Sequence, residues 1–415
     1  MSGPLAGVRV LDMSRILAGP WAGQLLGDYG ADVVKVEKPG TGDDTRQWGP
    51  PWLGDGRHGE AAYFLAANRN KRSIAIDLAS TEGRRVARAL AGRADVLIEN
   101  FRVGAMARHG LDPERLCEAN PGLICCSITA YGQQGSRAQE PGYDAMIQAM
   151  GGLMSITGAP DADGGSPQKV GVAIADLMAG MYAVTAILAA LHERSATGKG
   201  QRIDVPLYDS QVASLANQAL NFLIGGENPG RLGTAHPNLV PYQAFPTRDG
   251  HLMLAIGNDR QFRALAECIG AAELGSDPRF LSNADRVEHR EVLVGLISQA
   301  FGRDTSAAWL SRLASAGVPA GPINSVAEVL TDAHARERQL VRRLAHPLDD
   351  AMPTVANPVR FSRTPVRYDL APPLLGAQTQ GILQDWLDYG DEAIARLTAP
   401  GAACDPHTDD ERPDG

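Results

Sequence analysis

The chain predicts an α/β protein built on a parallel sheet. Three observations carry that reading. Short apolar strand-like runs recur through the first 210 residues, helix-like segments alternate with them, and Gly or Pro punctuates many of the joints. The alternation starts at once. Residues 8–13 read as a strand, and Leu17-Ala18-Gly19-Pro20 opens a helix to about Tyr29, with Pro20 suited to its first turn. Gly30 ends that helix. Residues 31–37 form a second strand, closed by Lys38-Pro39-Gly40, so the unit is β-α-β and favours a parallel pair with a right-handed crossover.

The pattern repeats. A strand is expected at 73–78, a helix at 81–91, and a strand at 95–99. Helical segments follow near 104–109 and 113–119, then a strand at 123–129. Small apolar residues dominate 177–191 and read as a buried helix, too short to span a bilayer. A strand at 201–207 and a helix at 208–224 complete the first region. Residues 225–247 are rich in Gly, Pro and Asn and read as a linker with an embedded loop. A strand at 251–256 and helices at 259–268, 290–301 and 305–316 make a smaller α+β region, and 317–324 a second linker. The domain reading is therefore 1–224, 225–247, 248–316, 317–400 and 401–415. The last segment is polar and acidic, and disorder is expected there.

Bulk properties narrow the function. The chain has 415 residues, is 44% hydrophobic and carries a net charge of −9, which makes nucleic acid a poor partner. Five cysteines, Cys117, Cys125, Cys126, Cys268 and Cys404, match no zinc or redox spacing, so reduced thiols and a cytoplasmic location are expected. No signal peptide is expected from the uncharged start of the chain. No G-x-G-x-x-G follows the first strand, and no P-loop, G-x-S-x-G elbow or H-E-x-x-H occurs. No metal site and no resident cofactor are expected.

The informative acid is Asp176, in Val170-Gly171-Val172-Ala173-Ile174-Ala175-Asp176-Leu177. If a helix begins near 174 or 175, Asp176 lies in its first turn, where free N–H groups and the helix dipole favour an anion. A partly desolvated carboxylate held this way is a candidate nucleophile toward an activated acyl group. Basic residues Arg15, Lys38, Arg69, Lys71, Arg72, Arg102 and Arg108 cluster near strand ends, where ligands of parallel sheets bind. They read either as a phosphate site or as a solvated rim.

Taken in order, these segments resemble the class III CoA-transferase family, which includes formyl-CoA and carnitine-CoA transferases. The carriers are Arg15-Ile16-Leu17-Ala18-Gly19-Pro20, residues 30–37, Gly42-Asp43-Asp44-Thr45-Arg46, Asn68-Arg69-Asn70-Lys71-Arg72-Ser73, Glu99-Asn100-Phe101, Gly142-Tyr143-Asp144, the Asp176 segment, residues 317–322 and Pro373-Leu374-Leu375-Gly376. The match spans about residues 4–395. The resemblance implies a Rossmann-like large domain formed by both chain ends, a smaller inserted α+β domain and an interlocked homodimer. It implies that Asp176 is the catalytic aspartate, with coenzyme A as the transferred group.

Contacts to CoA are implied for Leu17, Ala18, Lys38, Asn100, Phe101, Arg102, Arg108, Tyr143 and Asp144. The chain departs from the family at Ala79, where a lysine near the CoA phosphates is usual. It lacks the glycine-rich flap of formyl-CoA transferase, with Gly233-Thr234-Ala235-His236-Pro237-Asn238 in that region, and reads Gly376-Ala377-Gln378-Thr379 where Gly-x-His-Thr is common. Residues 48–51, 233–236, 240–245 and 321–324 look most like the succinyl-CoA:glutarate branch. A dicarboxylate acceptor needs a cation or donors for its second carboxylate, and Arg46, His236 and Asn238 are the candidates. The rival readings are an α-methylacyl-CoA racemase and a non-catalytic CoA-binding protein. The racemase motif Gly-His-Asp reads Gly142-Tyr143-Asp144 here, and tyrosine is a poor base at neutral pH.

Overall fold

The computed structural model describes residues 3–56 and 59–407. Two compact units emerge, one from residues 1–153, 169–223 and 334–415, the other from 154–168 and 224–333.

The larger unit is organised by six strands: β1 (Arg9–Asp12), β2 (Asp32–Glu37), β3 (Lys71–Ala75), β4 (Val96–Glu99), β5 (Ile124–Thr129) and β6 (Arg202–Pro206). All pair in parallel, in the order β3-β2-β1-β4-β5-β6. Chain direction across the sheet reverses between β1 and β4, so the crevice outside their carboxyl ends is the place for a ligand. Side chains alternate between two buried faces, as period-2 geometry requires. Leu11, Val34, Ile74, Leu97 and Cys125 face a core shared with the helices Thr81–Arg93 and Thr379–Leu387. Val10, Val33, Val96, Ile98, Ile124 and Ile128 face a second core with α1 (Ala18–Asp28) and the helix Ile174–Thr197. Burial on both faces explains why the strands read as continuous apolar runs.

The helix Ile174–Thr197 is long and apolar enough to cross a membrane by length and composition. Its small residues Ala175, Ala179, Gly180 and Ala183 are instead buried in this core. The helix expected over 208–224 is two helices, Leu207–Ala213 and Asn217–Gly225, parted where Ala216 takes a positive φ of 45°.

The smaller unit extends beyond the expected 248–316. His251–Ala255 is flanked by Tyr242–Pro246 and Ala320–Pro322 in an antiparallel three-stranded sheet, so both presumed linkers contain strands. Helices Asp259–Cys268, Arg290–Phe301 and Ser306–Ser315 cover it around Phe245, Leu254, Phe262, Leu293 and Phe301. The tail also differs from expectation. Cys404 is fully buried among Leu90, Trp386 and Leu397, its N–H donates to Leu397 O at 2.9 Å, and Ala403 O accepts from Asp77 N at 2.7 Å. Residues 401–407 are packed, therefore, while 408–415 lie outside the described residues.

Candidate active site

The loops after β1 and β4 meet at the switch point and hold each other. Asn100 Oδ1 accepts from Arg15 N at 2.9 Å, and Asn100 Nδ2 donates to Arg15 O at 2.7 Å. The next residue, Ile16, has φ +71°. A β-branched residue pays steric strain there, and such strain persists only where the surroundings over-determine it. They do so here. Lys35 Nζ donates to Ser14 O at 2.9 Å, Asp12 Oδ1 accepts from Ser14 N at 3.0 Å, and Asp43 Oδ1 accepts from Ile16 N at 3.2 Å.

This rigid loop forms one wall of a cleft of about 180 Å³ whose lining includes Leu17, Ala18, Asn100, Phe101, Arg102, Thr129, Tyr143 and Asp176. A second hollow of about 300 Å³ shares Arg15 and Phe101 with the first and adds Lys35, Lys38, Ala79 and His109. The two lie along the carboxyl ends of the strands.

Asp176 enters the cleft from the first turn of Ile174–Thr197. Its side chain is 8% exposed, and among the described residues no hydrogen-bond donor reaches its carboxylate. Burial, and then the carboxylate of Asp144, push its pKa up to about 7. The two effects outweigh the anion-favouring helix terminus. The helix has no side-chain cap of its own. Asp144, at the start of the helix Asp144–Met150, supplies one from outside, because its Oδ1 accepts from Ala175 N at 2.8 Å. The Ala175 amide is therefore occupied and is not open to an oxyanion. The Asp176 N–H has no acceptor among the described residues, and Gly171 leaves open space beside its backbone.

Two neighbours had no local sequence signal. Tyr63 packs edge-on against Trp48 at 5.1 Å, and burial followed by the charges of Asp176 and Asp144 raises its phenol pKa. Gln148 is fully buried and bonds Asp144.

The expected site residues divide into groups. Leu17, Ala18, Phe101, Arg102 and Tyr143 line the cleft with Asp176, and Lys38 lines the adjoining hollow. Asn100 lines the cleft too, but its amide is spent on the Arg15 backbone. Asp144 lines neither hollow; it accepts from Ala175 N and from Gln148 Nε2 and so supports the Asp176 helix. Arg108 is exposed on the short helix Ala105–Arg108 and lines neither hollow.

Arg46 is a further correction. It is buried, with Nε and Nη2 on Glu37 at 2.8 and 2.7 Å, Nη1 on Glu60 at 2.7 Å, and its guanidinium 3.7 Å from the Phe64 ring centre. With Nη2 also donating to Pro373 O at 3.0 Å, four of its five N–H groups are committed inside the fold. His236 and Asn238 lie in the smaller unit, where Asn238 N donates to His236 Nδ1 at 3.0 Å and the His236 ring sits 5.3 Å from Tyr242.

Much of the basic rim proves internal as well. Arg69 pairs with Asp28, Lys71 with Asp12, and Arg72 with Asp32 and Asp385, leaving Arg15, Lys38 and Arg102 around the hollows. Among the described residues no group of three His, Cys, Asp or Glu side chains is placed to hold a metal.

Comparison with known proteins matches residues 5–379 to the family described as CoA-transferase family III. The succinate–glutarate CoA-transferase of Agrobacterium fabrum is 46% identical over 399 residues, covering 96% of this chain and 98% of that protein. The human succinyl-CoA:glutarate CoA-transferase is 42% identical over 398 residues, covering 96% and 89%. Among solved structures, a CAIB/BAIF family protein from Brucella suis superposes with a TM-score of 0.82 at 46% identity, over 93% of this chain and all of that one.

Proposed function

The chain belongs to CoA-transferase family III, and on that premise we propose that it moves coenzyme A from succinyl-CoA to a dicarboxylate such as glutarate through covalent intermediates on Asp176. The observation that carries the reading is the position of Asp176. It is a buried carboxylate without a donor among the described residues, facing the cleft at the sheet's switch point.

A carboxylate in that state is a better nucleophile than one held by hydrogen bonds. Its oxygen attacks the thioester carbonyl, the C–S bond breaks, and a mixed anhydride and CoA thiolate result. The thiolate then attacks the aspartyl carbonyl and expels succinate, leaving an aspartyl-CoA thioester. The acceptor carboxylate attacks that carbonyl and releases the thiolate again. Return of the thiolate to the acceptor's acyl carbon frees the new acyl-CoA and Asp176. An activated acyl bond, anhydride or thioester, is present at every step, so a cleft closed to water protects it from hydrolysis. The N–H of Asp176 is the amide available for the oxyanion. Phe101 and Arg102 are proposed to hold CoA in the cleft, with Lys38 toward its nucleotide.

With Arg46 committed to Glu37 and Glu60, His236 and Asn238 remain the proposed holders of the acceptor's second carboxylate. An interlocked homodimer is proposed from the resemblance. The exposed apolar side chains Met181, Tyr182, Leu220, Phe222 and Leu223 support a covered face. A reducing, cytoplasmic setting is proposed from five free cysteines.

The test is a mass-spectrometric assay with succinyl-CoA and a mixture of mono- and dicarboxylic acids. A new dicarboxylyl-CoA, and a CoA adduct on Asp176 in quenched samples, are expected. Preference for monocarboxylates would refute the acceptor class. The absence of any new thioester, with deuterium exchange at the α-carbon of a 2-methylacyl-CoA, would replace the transferase reading with the racemase.

A further inference from the structure

We propose that Asp144 and Gln148 are a positioning pair that aims Asp176 by holding both ends of the segment 170–175, an inference that rests on the covalent role of Asp176 proposed above. The two residues are one turn apart on the helix Asp144–Met150. Asp144 Oδ1 accepts from Ala175 N at 2.8 Å, at the C-terminal end of the segment. Gln148 Oε1 accepts from Val170 N at 2.8 Å, at its N-terminal end. The pair is joined by Gln148 Nε2 donating to Asp144 Oδ2 at 2.7 Å, and the same nitrogen reaches Val172 O at 3.4 Å.

The segment has little else to fix it. Gly171 and Val172 are exposed, and no side chain of its own caps the helix that follows. Among the described residues the Asp176 carboxylate has no donor to orient it. Its direction is therefore set by the backbone that carries it, and that backbone is held by two acceptors on one neighbouring helix, the half-buried Asp144 and the buried Gln148. By taking the Ala175 amide, Asp144 also leaves the following N–H, that of Asp176, to the reaction. Gln148 is fully buried and polar, and its hydrogen bonds all serve this segment or Asp144, so packing alone does not account for it.

Hydrogen-bond polarity supplies the test. In Gln148→Glu two acceptors face each other, and in Asp144→Asn two donors do. The double variant Asp144→Asn/Gln148→Glu restores the bond within the pair and the bonds to both ends of the segment, and loses only the long contact to Val172 O. Position 144 still accepts from Ala175 N, its new amide donates to position 148, and position 148 still accepts from Val170 N. The experiment follows the rate at which the full-length protein forms the Asp176–CoA adduct from succinyl-CoA, by rapid quench and mass spectrometry.

Each single variant is expected to slow adduct formation by roughly 30-fold or more, because small misplacements of a reacting group cost about that much. KM for succinyl-CoA should stay within about threefold, and the double variant should recover most of the rate. Gln148→Met, which removes the bonds without adding charge, carries the same test if a charged single variant fails to fold. Single variants as fast as wild type, or a folded double variant as slow as the singles, would overturn the pairing. A wild-type protein that transfers CoA with no adduct on Asp176 would overturn the covalent reading itself, which separates the two failures.

Discussion

The carboxylate of Asp144 bonds the amide of Ala175 rather than the side chain of Asp176 beside it. Asp144 therefore fixes the backbone of the proposed nucleophile while its charge, together with burial, keeps that nucleophile close to neutrality. The first expectation concerns pH. On the proposed mechanism Asp176 attacks as the anion, and burial and then Asp144 raise its pKa to about 7, with the phenol of Tyr63 also in its field. kcat/KM should rise about tenfold per unit below pH 7 and level off above it. A profile already flat from pH 5 upward would show that Asp176 ionises normally and that the cleft is wetter than its burial implies.

The same shift predicts a stability gain on removing the charge. A carboxyl whose folded pKa lies above its unfolded value holds its proton more tightly when folded. Between about pH 4 and pH 7 the folded state therefore binds more protons, and stability falls as pH rises through that window. Above it the loss is complete. Asp176→Asn removes the penalty, so the variant should be more stable than wild type at pH 8, by up to on the order of 4 kcal/mol, with no difference at pH 3. It should also lose at least about a thousandfold in turnover. Urea titrations at the two pH values check the first point, and equal stability at pH 8 would contradict the desolvated carboxylate.

Arg46 was read from the sequence as a substrate contact, and the structure makes it a buried tie between Glu37, Glu60 and the carbonyl of Pro373. Arg46→Ala leaves two buried acids without their cation, which costs about 3–5 kcal/mol. The expected result is a thermal midpoint lowered by about 10 °C and poor soluble yield. A substrate role would instead raise KM for the acceptor and leave the midpoint unchanged.

Arg46 also shows where reading the sequence stops. Val33-Val34 and Ile124-Cys125-Cys126 announce buried strands because a two-sided sheet demands uninterrupted apolar residues. Asp176 was legible because an acid opening a small-residue helix is conspicuous. Charge in a sequence carries no sign of burial, so Arg46, Arg69 and Lys71 read like Arg102, though ion pairs hold the first three inside. Tyr242–Pro246 and Ala320–Pro322 escaped because their strand character comes from pairing with His251–Ala255, nearly 70 residues from the second of them, rather than from alternation of their own. Gln148 escaped for a related reason: its partners Val170 and Val172 are remote in sequence and use only backbone atoms.

Gly180 links the packing of the core to the chemistry. It lies one turn after Asp176 on the same helix face, and a Cβ there would stand 2.7 Å from Ala18 O and 3.3 Å from Trp21 Cδ1. The helix bearing Asp176 can therefore lie directly on the start of α1, where Leu17 and Ala18 also line the cleft. The carbonyl cannot yield as a flexible side chain would, so Gly180→Val must push the two helices apart. That should destabilise the fold by about 1–3 kcal/mol and shift Asp176 relative to Ala18. A displacement near 1 Å is enough to lower kcat by about a hundredfold. The loss should appear in adduct formation as well as in overall turnover, because on the proposed mechanism both need Asp176 aligned with the thioester. If Gly180→Val kept kcat and the thermal midpoint of wild type, the close approach of the two helices would not set the geometry of the site.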